Sequence, residues 1–189
     1  MELTYNNIKQ WYLDRKYPFN TRPFELNLLG LRNSYTATDA WDDKLLVVYS
    51  DGRNNKVVTY NEFTTDPGYY FLKKKILNPK GCAFVKEGFY PNLWTLGLHN
   101  NKYKALIQYG KVTVYRDGNL DNTLDRKIED IGYFGINLHH GYNSTVIFNN
   151  SAGCQVLKNT KNLNELLVLV ELHEKTYGKG INYTLTSNI

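Results

Sequence analysis

Two short runs rich in β-branched and aromatic residues, Leu45-Leu46-Val47-Val48-Tyr49 and Lys56-Val57-Val58-Thr59-Tyr60, flank Ser50-Asp51-Gly52-Arg53. Glycine tolerates the positive φ that a tight reversal needs, so Asp-Gly between two such runs predicts a β-hairpin. The pattern recurs. Trp94 to His99 and Tyr103 to Gln108 flank a polar His99-Asn100-Asn101-Lys102 tip, Val112 to Arg116 follows Gly110, and Asp117-Gly118 closes that run. Thr64-Thr65-Asp66-Pro67-Gly68 marks a further turn. A strand is expected from Ile131 through Leu138 into His139, and Tyr183-Thr184-Leu185 reads as a final edge strand. The 16 tyrosines suit such a chain, because aromatic rings cover a pleated surface well.

Helical periodicity occurs near the two ends. Ile8, Trp11 and Tyr12 give residues 5 to 16 an apolar stripe, which Pro18 and Pro23 then interrupt. Residues 162 to 177 form the clearer helix, with Leu163, Leu166, Leu167, Val170 and Leu172 as the stripe, Asn162 or Asn164 as the cap and Gly178 as the stop. A length of 189 residues suits one domain with a substantial core, and no linker, repeat or low-complexity tract divides it. The expected architecture is mainly β, a single β-sandwich or barrel over residues 28–189. A short N-terminal helical extension occupies residues 1–27, and one amphipathic helix lies near the C-terminus.

Composition narrows the function. The longest apolar run, Leu166 to Val170, is far too short to cross a bilayer. The first residues lack the basic and apolar regions of a secretory signal, so synthesis in the cytoplasm without a leader is expected. Two cysteines make no disulfide framework, and two free thiols are expected, with Cys82 a small buried or half-buried hydrophobe. The glycines form no phosphate-binding or dinucleotide motif, and no cofactor is expected. Lys73-Lys74-Lys75 is a lone basic run, better read as a solvated edge than as a nucleic-acid site. The net charge of +5 suits an anionic surface such as a bacterial wall, and equally serves solubility.

Chemistry concentrates in one stretch. Of the four histidines and two cysteines, His139, His140 and Cys154 fall between Gly135 and Gln155. An imidazole beside a thiol can take its proton and turn it into a nucleophile. A zinc site built from His99, His139, His140 and Cys154 is the rival use of these residue types, but the usual ligand spacings are absent. Strand alternation sends His139 to the face of Asn137 and His140 to the face of Leu138, so at most one of the two should meet the thiol.

The stretch resembles the signature of the L,D-transpeptidase catalytic domain, in which a His-containing element precedes a Ser/Thr-His-Gly-Cys box. Gly135-Ile136-Asn137-Leu138-His139-His140-Gly141 stands as the first element and Ser151-Ala152-Gly153-Cys154 as the second. Gly132-Tyr133-Phe134-Gly135 and Gln155 are similar to a divergent branch found in phages and gut bacteria. So are Gly30-Leu31-Arg32, Leu96-Gly97-Leu98-His99 and the segment from Lys104 to Val112, and the likeness spans about residues 28 to 185. It implies that Cys154 is the nucleophile, His139 the general base with His140 as the alternative, Ser151 a support for the loop and the imidazole, and Gly153 part of an oxyanion site. The substrate would be the stem peptides of peptidoglycan. The motif's second histidine is Ala152 here, and Gln155-Val156-Leu157 stands where an arginine is usual. Arg32 or His99 would then bind a substrate carboxylate, with His140 and Gln155 nearby. A phage-type lysin or virion-associated peptidase is the expected setting, and a non-catalytic wall-binding or virion module the alternative.

Overall fold

Among the described residues the β-branched and aromatic runs form eleven strands, with three helices around them. A computed structural model describes residues 2–33, 39–121 and 123–189. In chain order the elements are α1 (Tyr5–Asp14), β1 (Asn27–Leu31), β2 (Asp43–Ser50), β3 (Asn55–Thr64), α2 (Tyr69–Lys73), β4 (Cys82–Val85) and β5 (Gly88–His99). They continue with β6 (Tyr103–Gln108), β7 (Val112–Asp117), β8 (Ile128–Gly132), β9 (Leu138–His140), β10 (Gln155–Leu157), α3 (Thr160–Tyr177) and β11 (Ile181–Thr186).

Eight strands close into a barrel in the order β1-β11-β5-β6-β9-β10-β3-β2, and the β1–β2 pairing completes the ring. The Asp51-Gly52 turn joins β2 to β3 as expected, and the β5–β6 hairpin pairs His99 with Tyr103 across its tip. Alternation decides what each strand buries. Leu28, Leu45 and Val47 point into a core shared with Phe63, Trp94 and Tyr183, whereas Leu29, Leu46 and Val48 point outward beneath Ile8, Trp11 and Tyr12 of α1. Thr4 caps that helix, its hydroxyl accepting the Asn7 N–H at 3.3 Å. Complete burial of side chains of this size stabilises by roughly 1.5–3 kcal/mol each. The helix is therefore tied to the barrel by packing. Helix α3 sets Leu163, Leu166, Leu167 and Val170 into the same core as Leu106, Leu138 and Leu157. No helix among the described residues is long and apolar enough to cross a membrane.

Four sequence expectations are corrected. The run at Val112 does not continue the barrel, because β7 pairs with β4 and β8 in a separate three-stranded sheet. The strand expected from Ile131 to His139 is two strands, β8 and the three-residue β9. Between them Gly135 adopts φ +71°, and the Gln108 carboxamide replaces strand pairing. Its Oε1 accepts the N–H groups of Phe134 and Ile136, both at 2.9 Å, while Nε2 donates to the carbonyls of Gly110 and Gly132. Strand β11 is no edge: it lies between β1 and β5, parallel to the former. Finally α3 starts after Asn159 rather than at Asn162 or Asn164, and His173, not Leu172, continues its buried stripe.

Candidate active site

Strands β9 and β10 run parallel, with Gln155 opposite Leu138, Val156 opposite His139 and Leu157 opposite His140. The Gln155 N–H donates to the Asn137 carbonyl at 2.9 Å, which extends the register one residue beyond the strands. Residues paired across parallel strands share a face. Leu138 and Leu157 therefore enter the core, and Gln155 follows them inward. Asn137, His139 and Cys154 turn the other way. That shared face opens into a cleft of about 670 Å³.

The far side of the cleft comes in part from β4 and β7, which the sequence did not associate with the thiol. Cys82 and Ala83 of β4, Arg116 of β7 and the Tyr133–Ile136 segment line it, together with Asn149 and Asn150. The turn before Cys154 is pressed against β4. Gly153 has φ +119°, and a Cβ there would lie 2.5 Å from the Ala83 carbonyl oxygen, so glycine is required on two counts. Ser151 is buried; its hydroxyl donates to the Cys154 carbonyl at 2.8 Å and accepts the Gly153 N–H at 3.2 Å. The Cys154 thiol itself donates to the Gly135 carbonyl at 3.4 Å.

His139 is 3% exposed, and its environment fixes a tautomer. Nδ1 lies 3.0 Å from the His140 carbonyl oxygen, which can only accept, so Nδ1 carries the proton and Nε2 the lone pair. The Tyr103 hydroxyl sits 3.4 Å from the same Nδ1. The His99 ring stacks on His139 with centroids 4.1 Å apart. His99 is oriented in turn by Asn137. The Asn137 Oδ1 accepts the Gln108 N–H at 2.9 Å, which leaves its Nδ2 to donate to His99 Nδ1 at 3.0 Å.

Both reacting groups rest neutral. Burial, reinforced by the His99 ring, pushes His139 down to about 3. Burial also pushes the Cys154 thiol up to about 11, only partly offset by a hydrogen bond from the Asn137 backbone. Cys82, a buried free thiol, goes up to about 12, again chiefly by burial.

Of the residues singled out from sequence, Cys154, His139 and His99 meet in the cleft, with Gly153 and Ser151 shaping its thiol turn. Three depart from expectation. Arg32 is buried inside the barrel, donating to Thr65 Oγ1 at 2.9 Å and to the Thr65 and Val85 carbonyls, and paired with Asp66 at 3.3 Å. Gln155 is also internal, its Oε1 accepting the Tyr183 hydroxyl at 2.7 Å. Inward alternation carries both away from a substrate. His140 stacks on Tyr103 at 4.3 Å rather than lining the cleft. Ser151 supports the loop but does not hold the imidazole; the His140 carbonyl and Tyr103 do. Among the described residues no group of three or more His, Cys, Asp or Glu is placed to hold a metal ion. Tyr103 and Arg116 were missed. Only the hairpin register, which sets Tyr103 opposite His99, gave a sequence signal for the first.

The chain matches no protein-family model, no curated protein and no solved structure.

Proposed function

We propose that the chain is a cysteine-dependent acyl-transfer domain of the L,D-transpeptidase type acting on peptidoglycan stem peptides, with hydrolysis rather than cross-linking as its outcome. One observation carries this reading: Cys154 and His139 project from one face of the β9–β10 parallel pair into one cleft. His139 Nε2 takes the thiol proton as Sγ bonds to the stem-peptide carbonyl carbon, and the carbonyl electron pair moves to oxygen. Because both groups rest neutral, proton transfer accompanies attack instead of preceding it. The Gly153 N–H is engaged by Ser151, so the Cys154 N–H is the turn's donor to the oxyanion. Collapse expels the amine, which takes the proton from His139 and leaves a thioester. Water, giving a proton to His139, then attacks the thioester; the acid leaves and the thiol is restored.

An endolysin or virion-associated peptidase is the setting that fits the motif. Incubation with purified sacculi tests the reading. New stem-peptide fragments, absent with Cys154→Ala and reduced about a hundredfold or more with His139→Ala, are expected. His140→Ala should retain at least a tenth of the activity, since that ring packs on Tyr103 outside the cleft.

A second reading has a specific support. The opposed shifts of Cys154 and His139 disfavour a thiolate–imidazolium pair, as befits a wall-binding or virion module that kept the cleft without turnover. Sedimentation with sacculi and no released product would favour this module.

A further inference from the structure

Arg116 brings to the cleft a guanidinium whose hydrogen-bonding capacity its neighbours leave partly unused. Its side chain is 4% exposed and lines the same cleft as Cys154 and His139. Nε donates to Asp130 Oδ2 at 3.3 Å, and Nη2 lies 3.3 Å from that same oxygen. The grip is thus on one oxygen, not the two-oxygen fork that satisfies a guanidinium best. Nη2 is buried and has no aligned hydrogen-bond acceptor. Asp130 is moreover shared, because its Oδ2 also lies 3.4 Å from Lys80 Nζ. Asp117, the next residue on β7, is occupied elsewhere, its carboxylate accepting the N–H groups of Asn119 and Asp125. The Phe134 ring covers the guanidinium at 4.5 Å and keeps it in a poorly solvated setting. A buried donor with no acceptor is costly, and in such a setting a second carboxylate gains most.

We infer that Arg116 is the carboxylate-recognising residue of this cleft, so that its ligand is a peptide bearing a free carboxylate. The residue comes from the second sheet and takes on the task that the sequence reading gave to Arg32 or His99. This inference rests on the reading of the cleft as a peptide site, but not on Cys154 being a nucleophile.

Binding is therefore measured by calorimetry on the Cys154→Ala protein. The probes are soluble stem peptides released from sacculi and the same peptides after amidation of their carboxyl groups. The acid form should bind at least about tenfold more tightly, as expected for a charge-assisted pair in a sheltered site. Arg116→Gln should abolish that preference. Asp130→Asn should strengthen binding of the acid form several-fold by releasing the guanidinium from its internal partner, a gain that a purely structural arginine would not give. Equal affinity for the two forms, binding of neither, or no gain with a normally folded Asp130→Asn would overturn the inference. Sacculus turnover by the unmodified protein is a separate readout, so recognition and thiol chemistry can fail independently.

Discussion

The His99 and His139 rings lie nearly flat on one another, their planes 23° apart and their centroids 4.1 Å apart. The His99 ring thereby lowers the tolerance of His139 for charge, on top of the burial that removes water from it, while His99 is itself held down by burial and by His140.

His139 should consequently stay neutral with its proton on Nδ1 through neutral pH and titrate near 3, as read by NMR of the ring nitrogens. The sign for stability follows. Unfolded histidine takes a proton near 6.5, above the folded value, so this contribution is complete above about pH 6.5 and is lost as pH falls toward 3. His99→Ala should move the His139 midpoint upward. A midpoint of 6 or higher in the unaltered protein would contradict the stacked, neutral arrangement.

Alkylation of Cys154 by iodoacetamide should climb about tenfold per pH unit from 7 to 9, because the reactive thiolate is scarce below its midpoint near 11. Cys82 should react more slowly still, being 5% exposed and shifted further. Peptide mapping of a labelling time course separates the two. A rate flat across that range would reveal a thiolate already formed at neutral pH.

Gln108→Ala removes the carboxamide that satisfies Gly110, Gly132, Phe134 and Ile136. Roughly 2–4 kcal/mol of stability should go with it, a few backbone groups losing partners at about 1 kcal/mol each. Gln108→Glu should keep the acceptor role but set a carboxylate oxygen against the Gly110 and Gly132 carbonyls, giving a loss at least as large as that of Ala. Urea denaturation of the three proteins tests that ranking, and an Ala variant as stable as the parent would refute it.

Arg32→Ala leaves the buried Asp66 without its counter-ion, and a loss of roughly 3–5 kcal/mol is expected. Its effect on binding should be no larger than its effect on folding. A stable Arg32→Ala protein with weakened peptide binding would return Arg32 to the ligand.

Much of the barrel was legible because its signals are local. Asp51-Gly52 fixes one hairpin, Gly178 stops α3, and alternation around Leu138 separates His139 from His140. What escaped depends on partners distant in the chain. Nothing near Val112 says that β7 will pair with β4 instead of joining the barrel, so Arg116 could not be placed beside Cys154. The interruption after Gly132 is imposed by a glutamine more than twenty residues earlier. Arg32 misled for a related reason. An arginine in a segment that resembles the family reads as a ligand for anions, and only the three-dimensional arrangement supplies Asp66, Thr65 and Val85 as its partners.

The parallel pairing of β9 with β10 has an evolutionary consequence. Each strand is three residues long, and the connection between them, residues 141 to 154, lies outside the register that puts Cys154, just before β10, on the same face as His139. A parallel pair needs a long connection but sets no upper limit on it, and lengthening a surface loop adds little entropy cost. Insertions or deletions there can alter the number of residues between base and nucleophile while the two side chains keep their places. A search for related chains keyed to a fixed His-to-Cys interval would pass over proteins with the same cleft.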